Sequence, residues 1–140
     1  MNLLERDFGN TCFAEHEPIR SRAVDLDELA FVDTEATEQW KAVVDELLRL
    51  RALEDDWDGE AAVAPVAELV DGAITLAQWM KSNEWSIPDR VSAGVNGTIV
   101  FEWYTPIGYL EIEVCSTTAA EGHWIPNGSH VAEKFLFTRC

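Results

Sequence analysis

The stretch that decides the fold is RVSAGVNGTIVFEWYTPIGYLEIEVC, residues 90–115. Within it, Asn96-Gly97 is a strong signal for a hairpin turn, because both residues tolerate the positive φ angles that such a turn requires. A second connection, TPIG at 105–108, separates two runs in which apolar and polar residues alternate. Alternation of this kind is typical of strands that bury one face. Residues 90–115 therefore predict three antiparallel strands.

The same alternation assigns side chains to the two faces of the predicted sheet. The core face is predicted to hold Ile99, Phe101, Trp103, Leu110, Ile112 and Val114. The opposite face is predicted to hold Val100, Glu102, Tyr104, Tyr109, Glu111 and Glu113. If Tyr104 pairs with Tyr109, Glu102 lies opposite Glu111, and such a like-charge pair destabilises a sheet. This face is therefore either an ordinary solvated face, a surface for a cationic partner, or a carboxylate cluster for a metal ion.

Segments on both sides of this sheet complete the fold prediction. Residues 121–125 and 131–137, separated by Asn127-Gly128, predict one or two further strands. Apolar residues at helical spacing predict one helix over about 34–53 and another over about 65–82. The chain is expected to be α+β, with two helices packed on one face of an antiparallel sheet of three to five strands. Residues 1–33 are expected to be an irregular N-terminal segment with at most one short strand, and 34–140 a single domain.

Three residues are expected to shape the helix ends and the helix packing. Asp33 or Thr34 is the expected N-cap of the first helix. Pro65 fits the first turn of the second helix, where its missing N–H is not needed. Gly72 lowers the stability of that helix by about 1 kcal/mol relative to Ala, which a close helix crossing would explain.

An acidic segment joins the two predicted helices. Its carboxylates are Glu54, Asp55, Asp56, Asp58 and Glu60. A calcium loop of the EF-hand type would need a bidentate Glu at its twelfth position, which is Pro65 in this chain. We expect instead that Trp57 packs between the helices, that Asp58 braces the turn, and that Gly59 supplies an unusual backbone angle.

Composition limits the classes of function. The 140 residues include 26 acidic and 10 basic side chains, for a formal charge of -16, which opposes direct binding to nucleic acid or anionic lipid. No apolar run is long enough to span a bilayer, and the amino terminus lacks a basic region followed by an apolar stretch, so a soluble, cytoplasmic protein is expected. The cysteines are Cys12, Cys115 and Cys140; without CxxC spacing they are expected to be reduced thiols.

No catalytic motif is complete in this sequence. The histidines His16, His123 and His130 lack the spacing of metal ligands and pair with no nucleophile in a local motif. No phosphate loop and no dinucleotide fingerprint is present, so no cofactor is expected. Among the tryptophans, Trp85 and Trp124 are the ones expected at the surface.

The chain resembles a family of small bacterial and phage-associated proteins over about residues 45–115. The resemblance rests on LEDDWDGEAA followed by Pro65 and a helix, then VSAGVNGTIVFEW and YLEIEV. That family has a WDG turn between two helices, then LEW-like and LEIE-like strands. The matching residues are Trp57, Asp58, Gly59, Trp103, Leu110, Glu111 and Ile112. The family has no established activity, so the resemblance implies an architecture and no catalytic residues.

Two main classes of function remain, with a structural or assembly role as a third. The first is a non-enzymatic inhibitor that binds a basic protein, such as a nuclease, toxin or CRISPR effector, and occludes its nucleic-acid-binding surface in an antitoxin-like or anti-CRISPR-like manner. The second is a metal-assisted hydrolase that uses Glu102, Glu111 and Glu113. For the inhibitor, the expected partner-binding residues are Glu102, Tyr104, Tyr109, Glu111, Glu113, Glu54, Asp55, Asp56, Asp58 and Glu60.

Overall fold

The computed structural model describes residues 10–12 and 26–138, with side chains from residue 35 onward. In chain order, the elements are β1 (Asn10–Cys12), α1 (Leu26–Leu50), α2 (Ala67–Ser82), β2 (Arg90–Ala93), β3 (Ile99–Thr105), β4 (Gly108–Val114), β5 (Ala119–Pro126) and β6 (Glu133–Thr138). In the described chain the strands form one sheet in the order β1-β6-β5-β4-β3-β2. Strands β2 to β6 pair antiparallel, and β1 adds a parallel strand beside β6. The predicted α+β arrangement of two helices and an antiparallel sheet is confirmed.

The central hairpin has the predicted register. Tyr104 pairs with Tyr109, and Glu102 pairs with Glu111. Alternate residues of β3 and β4 are buried, and they are the apolar ones that the sequence assigns to the core face. The Asn-Gly turns also lie where they were predicted, since Gly97 and Gly128 adopt positive φ angles of 82° and 80°. The alternation of apolar and polar residues along β3 and β4 therefore agrees with this register.

Helix α1 begins at Leu26, about eight residues before its predicted start. The predicted N-cap at Asp33 or Thr34 is therefore wrong, and the expected boundary at residue 33 falls inside this helix. Residues 26–50 contain no Gly or Pro, and extending an existing helix by a turn costs far less than nucleating one. The rest of the expected irregular segment, at 1–9 and 13–25, lies outside the described residues.

Helix α2 begins two residues later than predicted. Its N-cap is Val66, which has an extended backbone conformation with ψ of 154°. Pro65 is buried just before this cap instead of lying in the first turn. Prolines fix their own φ but do not require the next residue to be helical, so Pro65 marks the approach to the helix and not its first turn.

Gly72 faces a strand connection and not the other helix. A Cβ placed on Gly72 would lie 3.4 Å from the backbone of Thr117, in the turn between β4 and β5. The predicted close helix crossing is therefore not the reason for this glycine. The distance corresponds to ordinary van der Waals contact, so a methyl group fits there.

One core joins the helices to the inner face of the sheet. Leu47 of α1 and Leu76 of α2 are fully buried, as are Phe101, Ile112 and Phe137 of the sheet. Burial of such side chains is the main favourable term in folding. The opposite face of β2 to β6 is called the outer sheet face below.

Trp85 and Trp124 belong to this core, so the expectation that they lie at the surface is wrong. Each side chain is only 3% exposed. The ring of Trp85 lies 5.8 Å from that of Trp103 and 5.9 Å from that of Phe137. Aromatic pairs at such distances stabilise a core beyond the contribution of their buried area. The position of a single tryptophan in the sequence does not show which rings it will contact.

Candidate functional site

The candidate site begins with the acidic loop, residues 54–60, between α1 and α2. Asp58 braces this loop as predicted, because its Oδ1 accepts hydrogen bonds from the backbone N–H groups of Glu60 at 2.8 Å and Ala62 at 3.0 Å. These two bonds lower the pKa of the Asp58 carboxyl, with the Glu60 bond contributing most. Gly59 supplies the predicted positive φ angle, 76°. Hydrogen bonds to Asp58 and the positive φ of Gly59 thus stabilise the WDG turn.

Two further carboxylates of the acidic loop hold its backbone. Asp56 Oδ1 accepts from the N–H of Ala61 at 2.7 Å, and Asp55 Oδ1 accepts from the N–H of Ala64 at 2.9 Å. Asp56 and Ala61 both have left-handed φ angles, 68° and 69°, a conformation that is unfavourable for Ala. Hydrogen bonds across the loop therefore maintain a backbone shape that the local sequence alone does not favour.

Trp57 and Val63 attach the acidic loop to the sheet. The indole N–H of Trp57 donates to the carbonyl oxygen of Val63 at 3.1 Å, and the Trp57 side chain is half-buried. The N–H of Val63 donates to the carbonyl oxygen of Val95 at 2.9 Å, in the turn between β2 and β3. These two hydrogen bonds consequently connect the loop to the turn between β2 and β3.

All five acidic residues of this loop are exposed. The ion pairs within the part of the chain that the structure describes include none of their carboxylates. Glu54 and Glu60 also form no side-chain hydrogen bond with any described residue. The acidic loop thus presents carboxylates that no described cation pairs with, on a backbone that hydrogen bonds brace.

The second group of predicted site residues lies on the outer sheet face. Glu102 Oε1 accepts hydrogen bonds from the hydroxyl groups of Tyr109 at 2.8 Å and Tyr104 at 3.0 Å. Its Oε2 lies 3.6 Å from Nε of Arg90. Burial and then the bond to Glu102 raise the pKa of Tyr109, and the bond to Glu102 raises that of Tyr104. Glu102 is therefore occupied by contacts within the protein.

Glu111 lies in the middle of this face with carboxylates around it. It pairs with Glu102 on one side and with His123 on the other. Burial is the main cause of the raised pKa of Glu111; His123 opposes the shift, while Glu113 and Glu102 add to it. The predicted like-charge pair is thus present in the register of β3 and β4.

Cationic side chains lie at both ends of the same cross-strand row. The row consists of Arg90, Glu102, Glu111, His123 and Lys134. Lys134 Nζ lies 3.1 Å from Glu121 Oε1 on the neighbouring strand. The outer sheet face is therefore mixed in charge, not simply acidic and aromatic. Sequence reasoning missed this because it assigned no register to the strands that carry Arg90 and Lys134.

The two predicted groups of residues lie on either side of the turn between β2 and β3. Val63 next to the acidic loop bonds to Val95 in this turn. Thr98, at the end of the turn, donates through Oγ1 to Glu113 Oε2 at 2.7 Å. Sequence reasoning also missed that Val63 and Val95 are 49% and 59% exposed. For Val95 the sequence offered a signal of this exposure, because an apolar side chain in a turn rich in Gly and Asn has little structure around it to cover it.

Among residues 10–12 and 26–138, no group of three His, Cys, Asp or Glu side chains is arranged to hold a metal ion. No helix in this part of the chain is long and apolar enough to cross a membrane. Comparison with protein-family models, curated proteins and solved structures finds no match.

Proposed function

We propose that this protein is a non-enzymatic inhibitor that binds a basic protein partner through its acidic loop and occludes the nucleic-acid-binding surface of that partner. One observation carries the proposal. The five carboxylates of the loop are exposed and form no ion pair with the described residues, although three of them hold the loop backbone by hydrogen bonds. Such a loop offers negative charge at positions that the fold determines.

Because hydrogen bonds already order the acidic loop, binding a partner costs it less conformational free energy. Ordering a flexible loop on association costs conformational free energy, which lowers affinity. Asp55, Asp56 and Asp58 already order the backbone in the free protein. Glu54 and Glu60 form no side-chain hydrogen bond with residues 35–138, and carboxylates in that state form strong charge-assisted bonds with Arg and Lys.

The formal charge of -16 supports the choice of partner. A strongly negative field accelerates encounter with a basic surface and repels nucleic acid itself. Carboxylates spaced along a surface replace the phosphates that a basic groove binds, so the chain acts as a nucleic-acid mimic. The partner class is a nuclease, a toxin or a CRISPR effector, and the chain is antitoxin-like or anti-CRISPR-like. A cytoplasmic location agrees with the exposed free thiol of Cys115.

The outer sheet face is a second, weaker contact in this proposal. Tyr104 is 58% exposed, and tyrosine is enriched in protein interfaces. Arg90 and Lys134 compensate part of the negative charge of this face. Electrostatic attraction to a basic partner is therefore concentrated at the acidic loop, and the sheet adds a contact surface.

The alternative functions have no specific observation in their favour. A metal-assisted hydrolase would need free oxygens on Glu102, Glu111 and Glu113. In this structure, oxygens of Glu102 and Glu113 already accept hydrogen bonds from hydroxyl groups. No contact among the described residues specifically favours a structural or assembly role.

The test compares affinity capture from the producing cells with three forms of the tagged chain. The first is the wild type, the second carries Glu54→Lys and Glu60→Lys, and the third carries Glu84→Lys and Glu133→Lys as a control with the same change in net charge. Both control residues are exposed and outside the acidic loop. We expect a basic nucleic-acid-binding protein on the wild type and the control, strongly reduced on the loop variant. Because exposed charges are screened by salt, about 0.5 M NaCl should release it.

Two results would contradict the proposal. One is capture that is equal for the loop variant and the control variant, since the position of the charge would then be irrelevant. The other is a captured partner that remains bound at high salt and has no basic surface. Circular dichroism of the three forms verifies that the substitutions leave the fold intact.

A further inference from the structure

A groove between the two helices is a feature of the described chain that the proposed function does not use. Its volume is about 280 Å³. The lining residues are Thr37, Trp40, Lys41 and Val44 of α1, and Ala77, Gln78 and Lys81 of α2. The α1 residues follow the i, i+3, i+4, i+7 spacing of one helix face, so the groove runs along the junction of the helices.

The floor of the groove is apolar. Trp40 is 5% exposed and Ala77 is 1% exposed, and both belong to the core. Val44 is half-buried beside them. An apolar molecule placed on this floor would remove both its own surface and that of Val44 from water, which favours binding.

The rim of the groove carries two lysines that have no partner among the described residues. Neither Lys41 nor Lys81 forms an ion pair or a side-chain hydrogen bond there. Every other Lys and Arg in residues 35–138 forms an ion pair: Arg49 with Glu46, Arg51 with Asp71, Arg90 with Glu102, and Lys134 with Glu121. The two cationic side chains of residues 35–138 that lack an ion pair with a described residue thus both line this groove.

We propose that this groove binds a small apolar molecule that carries one anionic group. The apolar part lies on Trp40, Val44 and Ala77, and the anionic group lies near the ammonium groups of Lys41 and Lys81. The volume is slightly below the lower limit of about 300 Å³ for pockets that hold drug-sized ligands. The ligand is therefore of the size of one or two rings or a short acyl chain. This site is independent of the acidic loop and of the function proposed above.

Nearby carboxylates limit the strength of this interaction. Glu38 and Asp45 lie one turn on either side of Lys41 along α1, and Glu84 follows Lys81 by three residues. These groups compete with a ligand for the lysines and add to the repulsion of anions by the whole chain. Exposed ion pairs contribute little each, so the apolar floor supplies most of the affinity and the lysines select an anion over a neutral molecule.

The test uses two probes of nearly equal shape. Naphthalene-2-sulfonate is anionic at pH 7, whereas naphthalene-2-sulfonamide is neutral. Each probe is titrated into the full-length ¹⁵N-labelled chain, and amide shifts are followed by NMR. We expect the shifts to concentrate on residues 37–44 and 77–81, with the sulfonate binding about fivefold more tightly than the sulfonamide.

Two sets of variants separate charge from shape. Lys41→Gln with Lys81→Gln should abolish the preference for the sulfonate and leave sulfonamide binding unchanged. The control, Arg49→Gln with Lys134→Gln, changes net charge equally outside the groove and should retain the preference. A third variant, Thr37→Trp, introduces a large side chain at an exposed lining position and should weaken both probes.

Three results would overturn the proposal. The first is no saturable binding of either probe, and the second is a set of amide shifts that lies outside the groove. The third is a preference for the sulfonate that is equal in the lysine variant and the control variant, because the two rim lysines would then not be the source of selectivity.

Discussion

Glu111 is the residue at which the sequence conflicts most directly with stability. It lies opposite Glu102 in the β3–β4 hairpin, and burial raises its pKa. We predict that Glu111→Gln stabilises the protein by about 0.5 kcal/mol at pH 7, the typical size of a cross-strand charge effect. Urea unfolding of the wild type and the variant measures the difference.

The pH dependence of this difference has a definite sign. A carboxyl with a raised pKa in the folded state opposes folding when it is ionised, and this cost disappears as pH falls through the folded-state pKa. The advantage of Glu111→Gln should therefore shrink as pH falls through the raised folded-state pKa, and it should be lost below the unfolded-state pKa of Glu, about 4.3. Glu84→Gln, at an exposed position past the end of α2, is the control and should have little effect. A variant that is less stable than the wild type at pH 7 would show that Glu111 contributes a favourable contact.

Asp58 has the opposite role to Glu111. Its carboxylate accepts two backbone hydrogen bonds, from Glu60 and Ala62, and these lower its pKa. We predict that Asp58→Ala lowers the melting temperature and accelerates hydrogen exchange at the amides of residues 60 and 62. The contribution of Asp58 is present above its unfolded-state pKa and is lost as pH falls through its lower folded-state pKa.

Two comparisons make the Asp58 prediction specific. Asp58→Asn retains an acceptor oxygen, so the backbone amides of residues 60 and 62 should exchange more slowly in this variant than in Asp58→Ala. Glu54→Gln removes a charge from the same loop without removing a hydrogen bond and should leave exchange unchanged. Slow exchange at residues 60 and 62 in Asp58→Ala would mean that other contacts brace the loop.

At the scale of elements, Gly72 in α2 lowers helix stability without a steric need for glycine. A Cβ at this position would lie 3.4 Å from the backbone of Thr117. We predict that Gly72→Ala raises the free energy of unfolding by about 0.5 to 1 kcal/mol, because Ala has the higher helix propensity. Thermal and urea unfolding of the variant measure this change. A loss of stability would show that the turn between β4 and β5 packs too closely for a methyl group.

The sheet was predictable from the sequence because its signals are local. Pairing of Tyr104 with Tyr109 across the connection at 105–108 predicted Glu102 opposite Glu111, and alternation along β3 and β4 divided the buried side chains from the exposed ones. The bracing role of Asp58 also followed from a short motif, the Asp followed by Gly within an acidic turn. In each case the deciding residues lie within a few positions of one another in the chain.

Features that depend on distant residues were not predictable in this way. The partner of Gly72 is Thr117, and the ion pair of Glu102 is with Arg90. The start of α1 at Leu26 was missed because weak apolar spacing does not show whether a helix continues. Which charged side chains are neighbours across strands depends on the register of every strand, and the sequence did not show that register for β2 and β6. The mixed charge of the outer sheet face therefore required the structure.

On the scale of the whole molecule, negative charge is spread widely but compensated unevenly. The formal charge is -16. On the outer sheet face, Arg90 and Lys134 pair with Glu102 and Glu121. The acidic loop has no such partners in the described chain, and hydrogen bonds fix its backbone. Under the function proposed here, the field of the entire molecule would attract a basic partner, and the strongest charge contacts are expected at the acidic loop.

The most direct test of this account is a competition measurement. A labelled nucleic acid is bound to the captured partner, and its release by increasing amounts of each form of the chain is followed by fluorescence anisotropy. We predict that the wild type and the Glu84→Lys, Glu133→Lys control displace the nucleic acid at similar concentrations. Glu54→Lys with Glu60→Lys should require at least about tenfold more protein, since truncating or reversing interfacial charge pairs typically costs more than 1.4 kcal/mol. Equal displacement by the loop variant and the control, or no displacement by the wild type, would contradict the account.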